Sequence, residues 1–209
     1  MKKKLHGLYA ITDEKLMSVD DFSSMAETAL NSGVSVLQYR DKSHNTEKRL
    51  AQALQLKKMC DQNNITFIIN DDVDLAVAVD ADGVHIGIND SSYASARELL
   101  GKNKIIGVTC YNQFETALQA ERLGADYIAF GSFFASSVKP DAVVASRDLL
   151  LRAKQELSIP VCAIGGITLY NSAELINAGA DMLAIITGVF GADDIQLACE
   201  SFNELFYQG

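Results

Sequence analysis

Apolar residues along this chain fall into two alternating rhythms. Short runs rich in β-branched and aromatic residues are followed by longer stretches in which apolar positions recur every three or four residues. That alternation predicts repeated strand-helix units around a parallel sheet. The strand candidates are GLYAIT (7–12), VSVLQYR (34–40), TFIIN (66–70), GVHIG (83–87), KIIGVT (104–109), DYIAFGS (126–132), PVCAIGG (160–166) and MLAIITG (182–188). Between them lie helical patterns such as NQFETALQAERLG and YNSAELINAGA, with a glycine placed to stop the last turn. The phrases LGADYIAF and AGADMLAII repeat one local recipe of helix, glycine, tight turn and strand.

Eight such units predict an α/β fold of the (β/α)8 barrel type, a single domain over residues 1–209 at the compact end of the barrel size range. An open doubly wound sheet is the rival, and the absence of a GxGxxG strand-to-helix turn weighs against it. Prolines stand only at 140 and 160, so no linker divides the chain. A barrel directs attention to the C-terminal ends of its strands, where active-site loops gather.

Composition narrows the function classes. With 48% apolar residues in 209, the chain can bury a sizeable core, while its formal charge of −9 and lack of basic runs argue against nucleic acid. A small anion is still a reasonable ligand wherever a few cations converge. Cys60, Cys110, Cys162 and Cys199 form no CxxC pair, which suggests neither zinc nor disulfides and fits a reduced cytoplasm. The apolar run after the basic start is about five residues, too short for a signal peptide, and no stretch reaches a membrane span of about 18.

Chemistry concentrates at the predicted strand ends. In LQYRDK, extended alternation puts Gln38, Arg40 and Lys42 on one side and Tyr39 and Asp41 on the other. Two cations and an amide in a row suit an anion, although a strand running into a solvated loop would read the same way. Asn70 or Asp71 can cap the helix that follows strand three, with Asp74 adding charge to its first turn. Alternatively, Asp71 and Asp90 follow neighbouring strands and would share a rim, where two hard carboxylates suit Mg²⁺. His85, inside strand four, reads as a hydrogen-bonded barrel histidine rather than a ligand. Across the mouth, Ser136, Ser137 and Lys139 offer hydroxyl and ammonium donors, with Pro140 holding Lys139 extended. Gly165-Gly166 and Ile186-Thr187-Gly188 end strands seven and eight, the usual phosphate corner of a barrel, or else serve tight turns.

LQYRDK, INDDVDLA, DGVHIG, IGVT, AFGSFF with its downstream KP, AIGGI and AII-T stand in an order and spacing that resemble the thiamine-phosphate synthase family over nearly the whole chain. The resemblance implies a barrel enzyme joining hydroxymethylpyrimidine diphosphate to hydroxyethylthiazole phosphate with release of pyrophosphate. It implies that Gln38, Tyr39, Arg40, Asp41, Lys42, Asn70, Thr109 and Lys139 contact the pyrimidine diphosphate, and that Asp71 and Asp90 bind one Mg²⁺. Ser136, Ser137, Val138, Gly166, Ile186 and Thr187 would hold the thiazole phosphate, with Arg40, Lys42 and Lys139 stabilising the departing diphosphate. The chain departs from the family pattern at Ala135, where a proline is usual, at Val138, where a threonine is usual, and at Ile88, where a glutamine is common.

Two further readings compete with the transferase: a thiazole tautomerase of the same fold, and a ligand-binding or regulatory barrel without turnover. Intact Asp71 and Asp90 argue against the former. Partners are expected to be small phosphorylated molecules, with a homo-oligomer compatible with the sequence.

Overall fold

The computed structural model describes residues 5–87, 93–134 and 145–207. Eight parallel strands close on themselves in sequence order, with β8 paired back to β1. They are β1 (Gly7–Ile11), β2 (Val36–Tyr39), β3 (Thr66–Asn70), β4 (Gly83–Ile86), β5 (Ile105–Tyr111), β6 (Tyr127–Gly131), β7 (Val161–Ile164) and β8 (Met182–Ile185). The helices around them are α1 (Phe22–Asn31), α2 (Thr46–Gln62), α3 (Val73–Ala78), α4 (Tyr93–Leu100), α5 (Phe114–Leu123), α6 (Arg147–Glu156), α7 (Leu169–Asn177), α8 (Thr187–Phe190) and α9 (Ile195–Glu204). The predicted (β/α)8 barrel is therefore the fold.

The two-residue period of each strand sorts its side chains into two cores. Leu8 and Ala10 of β1 face the helices, whereas Tyr9 and Ile11 face the bore. Outside the barrel, residues such as Leu37, Phe67, Ile69, Phe130 and Leu183 pack against Ala26, Leu56 and Phe202 of the helices, all fully or almost fully buried. Each such large side chain contributes about 1.5–3 kcal/mol relative to exposure. Inside, Val36, Ile68, Ile105 and Met182 fill the lower bore together with Tyr9 and Tyr127. Two tyrosine rings in so narrow a space require small neighbours. Gly107 of β5 supplies one, since a Cβ there would lie 2.0 Å from Tyr127 Cζ.

The repeated Ala-Asp step before strands has a structural cause. Asp82, Asp126 and Asp181, at the starts of β4, β6 and β8, accept from Phe67 N, Ile106 N and Val161 N of the preceding strands at 2.8–2.9 Å. Each also donates its own N–H to the carbonyl of that same residue. One aspartate thus satisfies both backbone groups of a buried residue, its carboxylate taking the N–H and its own N–H serving the carbonyl. The stop before β6 is a left-handed Gly124 (φ 94°), as the helix-glycine pattern predicts.

The C-terminal ends of three strands differ from expectation by two or three residues. β8 stops at Ile185, and Thr187 begins the one-turn α8, because the backbone at Ile186 leaves the extended region (φ −106°, ψ −82°). β7 likewise stops before Gly165 and Gly166, whose positive φ values (102° and 63°) cannot continue a strand. β5 runs on to Tyr111 after a register shift against β6.

Candidate active site

A cavity of about 510 Å³ opens at the C-terminal ends of the strands. Its floor is the polar upper layer of the bore and its rim is the set of strand-end residues. Gln38, Arg40, Asn70, Thr109 and Ile186, all singled out from the sequence, line it.

β2 delivers the cation row by alternation. Gln38, only 2% exposed, reaches inward to donate from Nε2 to Tyr9 Oη at 2.7 Å. Arg40 is braced by the loop after β1: its N–H donates to Thr12 Oγ1 at 2.9 Å, and its Nη1 donates to Asp13 Oδ2 at 3.3 Å. Lys42 Nζ donates to Asp71 Oδ2 at 2.5 Å across the gap between β2 and β3. Arg40 therefore lines the cavity, and Lys42, two positions further along, is held by Asp71. Tyr39 and Asp41 do not join them, because the same alternation turns both side chains outward. Tyr39 packs in the outer core and donates to Gln52 Oε1 at 2.9 Å. Asp41 accepts from Lys48 Nζ at 2.8 Å and from Ser43 N at 2.7 Å. Burial alone would raise its pKa, but those donors outweigh it and hold the carboxyl below the usual range. Asp41 ties down the β2-α2 loop.

The cluster after β3 resolves in an unexpected way. Asp72, rather than Asn70 or Asp71, caps α3, accepting from Leu75 N at 2.9 Å, while Asp74 does sit in the first turn. Asp71 cannot cap because its backbone is left-handed (φ 61°) and its N–H donates to His85 O across to β4. That conformation, unusual outside glycine, holds its carboxylate at the rim, where Asn70 Nδ2 also donates to Oδ2 at 2.7 Å.

On the opposite side, Gly165 lines the cavity and Gly166 follows it, its carbonyl accepting from Asn171 Nδ2 at 3.1 Å. Ile186 reaches the cavity and Thr187 opens α8 beside it. After β6, Phe134 N donates to Gly165 O at 3.0 Å and Ala145 N donates to Ser132 O at 2.7 Å, so both flanks of segment 135–144 are fixed at the mouth. Ser136, Ser137, Val138 and Lys139, like Asp90, lie outside the described residues, as do the departures at Ala135 and Ile88.

Beneath the rim runs a continuous polar chain. Tyr9 Oη and Tyr127 Oη are 2.8 Å apart, Tyr127 Oη is 2.9 Å from His85 Nδ1, and His85 Nε2 is 2.7 Å from Thr109 Oγ1. Burial pulls the His85 pKa down to about 4, against a smaller opposing pull from the Asp71 charge, so the ring is neutral. Burial likewise pushes both tyrosines far above their ordinary value. His85 is thus the hydrogen-bonded barrel histidine the sequence suggested. Tyr9 and Tyr127 escaped sequence reading because they sit inside apolar runs, although a buried tyrosine always needs a partner for its hydroxyl. Tyr111, 42% exposed on the cavity wall, was also missed, because the β5 irregularity that places it leaves no mark in the pattern.

Comparison with known proteins gives a consistent result. A family model described as thiamine monophosphate synthase matches residues 8–189. The thiamine-phosphate synthase of Nitrosomonas eutropha is 49% identical over 203 residues, covering 97% of this chain and 95% of that protein. That of Nitrosococcus oceani is 44% identical over 206 residues, covering 99% and 95%. Among solved structures, a thiamine phosphate pyrophosphorylase from Pyrococcus furiosus superposes with a TM-score of 0.88 at 35% identity, covering 97% of this chain and 96% of that one.

Proposed function

Because this chain belongs to the thiamine monophosphate synthase family, we propose that its cavity joins hydroxymethylpyrimidine diphosphate to hydroxyethylthiazole phosphate and releases pyrophosphate. The family activity is that of a transferase in thiamine biosynthesis. The observation that carries the reading is a cavity at the strand ends lined by Arg40 together with Gln38, Asn70 and Thr109, with Lys42, two positions beyond Arg40, held by Asp71.

The chemistry asked of these residues is electrostatic. The bond from the pyrimidine methylene to the diphosphate oxygen breaks first, the electron pair leaving with the diphosphate. The thiazole nitrogen then donates its own pair to the methylene carbon. Arg40 and Lys42, joined by Lys139, face the charge that develops on the leaving group, where a fixed charged donor is worth about 10²–10³ in rate. No side-chain nucleophile is required. Burial pushes the Cys110 thiol up to about 12 and raises that of Cys162 further, so neither is a thiolate, which suits this division of labour.

Gln38, Asn70 and Thr109 hold the pyrimidine end from the floor and wall. Ser136, Ser137, Val138, Gly166, Ile186 and Thr187 hold the thiazole phosphate, supported by the positive-φ turn at Gly165-Gly166 and by the start of α8. Asp71 fits a role as a Mg²⁺ ligand, with Asp90 as the second: its carboxylate offers hard oxygens at the rim, and no cluster of three His, Cys, Asp or Glu occurs among the described residues. One or two carboxylates plus substrate oxygens are what Mg²⁺ ordinarily takes. Bound there, the ion would supply further neutralisation of the departing diphosphate. Side chains of Tyr39 and Asp41 act on this site only by fixing the loop that carries Arg40 and Lys42.

No helix among the described residues is long and apolar enough to cross a membrane. Four buried, unbridged cysteines support a reducing cytoplasmic setting.

The test is pyrophosphate release with both substrates and Mg²⁺. Release should require both substrates and fall by about 10²-fold or more in Arg40→Ala and Lys42→Ala. Thiazole isomerisation without pyrophosphate, or binding with no product, would overturn the reading.

A further inference from the structure

We propose that Glu14 is a charge counterweight behind Arg40, one that limits how tightly the cavity grips pyrophosphate after the reaction. The identity of the anion rests on the transferase reading. The counterweight itself rests on the way Arg40 is held.

Other neighbours already place Arg40. Thr12, 1% exposed, clasps its backbone: the hydroxyl accepts from Arg40 N at 2.9 Å and donates to Arg40 O at 3.2 Å. Thr12 N in turn donates to Gln38 O at 2.9 Å, so the loop after β1 is pinned along β2. Asp13, 7% exposed, takes the guanidinium: Oδ2 accepts from Nη1 at 3.3 Å, and Oδ1 is fixed by Lys15 N at 2.9 Å. That one carboxylate balances the one cation.

Glu14 comes on top of this. Its Oε2 lies 3.8 Å from the same Nη1, beyond hydrogen-bond reach, and is sealed from water with no hydrogen-bond partner. A buried carboxylate oxygen without a donor is destabilising. Because Glu14 gives Arg40 no hydrogen bond through this oxygen, what it adds there is charge: two carboxylates now face one guanidinium. The side chains of Asp13, Arg40 and Glu14 are 9%, 19% and 21% exposed, so screening by solvent and salt is incomplete.

That charge acts on the ligand without touching it, since Arg40 lines the cavity and neither Asp13 nor Glu14 does. In the transferase step the C–O bond breaks and its electron pair stays on the diphosphate oxygen. Pyrophosphate therefore leaves with one more negative charge than the diphosphate ester carried in. A cationic edge holds the product more tightly than the substrate for that reason, and a fixed carboxylate behind the edge repels the product more. Glu14 thus weakens the grip most for the species that has to depart.

The test is calorimetric titration of inorganic pyrophosphate with Mg²⁺ into wild type, Glu14→Gln and Glu14→Asp. Glu14→Gln keeps the size and removes the charge, so it should tighten pyrophosphate by about fivefold at low salt, the gap narrowing as ionic strength rises. The inhibition constant of pyrophosphate in turnover should fall by the same factor. Glu14→Asp keeps the charge and should bind within about twofold of wild type. A residue that merely braced the loop would weaken binding when altered. Unchanged or weaker binding in Glu14→Gln, or equal tightening in Glu14→Asp, overturns the counterweight alone. Glu14→Ala, which removes the same charge, takes the place of Glu14→Gln should the latter not fold. Wild-type protein that neither binds nor releases pyrophosphate overturns the transferase reading, and the counterweight with it.

Discussion

Lowering the pH should destabilise the barrel through His85 by an amount its surroundings define. In the folded chain the ring forms part of the cavity lining, held between Tyr127 and Thr109, with a pKa pulled down to about 4. In the unfolded chain it returns to about 6.5. The folded pKa is the lower one, so the unfolded state takes up the proton first. The stability due to neutral His85 is complete above the unfolded value, drains away as pH falls from about 6.5 to about 4, and changes no further below that. The full span corresponds to about 3 kcal/mol, of which about 2 kcal/mol is lost between about pH 7 and about pH 5. Other groups titrate over the same range, so the assay is a double difference. Urea unfolding of the wild type and of His85→Gln is followed at both pH values. Glutamine keeps one donor and one acceptor, and its intrinsic cost cancels between the two conditions. Wild-type stability should fall by about 2 kcal/mol more than that of the variant. Parallel pH dependence in the two proteins would refute the assignment of a buried, neutral ring.

Two further substitutions test the packing and the capping. Gly107→Ala puts a methyl group against Tyr127 Cζ and Oη, so it should cost about 1–3 kcal/mol or more in chemical unfolding, as overpacked sites do. Asp72→Ala removes the α3 cap and the partner of Arg49, 2.7 Å away, and should lower stability by at least about 1 kcal/mol, read as a drop in Tm.

Strand periodicity made the barrel legible because each strand is buried on both faces. Runs such as TFIIN and DYIAFGS then carry no polar interruption except where the bore or the rim demands one. The rim was legible for the same reason: Gln38, Arg40, Asn70 and Thr109 are the polar residues at the ends of those runs. The fine assignment of carboxylates was not. Asn70, Asp71 and Asp72 are three consecutive capping-competent residues, and only the left-handed backbone at Asp71 decides that Asp72 takes the cap. Tyr39 and Asp41 show the opposite case. Alternation separated them from Gln38, Arg40 and Lys42, and the structure keeps that separation, whereas resemblance treats the five as one block. The polar chain beneath the rim was invisible because Tyr9 and Tyr127 are 118 positions apart in the chain, and no local pattern records a contact closed by the whole circuit of the barrel.

The ion pair between Lys42 and Asp71 means that these two charges are matched to each other when nothing is bound. A solitary inorganic phosphate arriving there has to outbid a carboxylate already 2.5 Å from the ammonium. With Lys42 about half exposed, water screens that pair, so the ammonium is held in place at little energetic cost to whatever anion replaces the carboxylate.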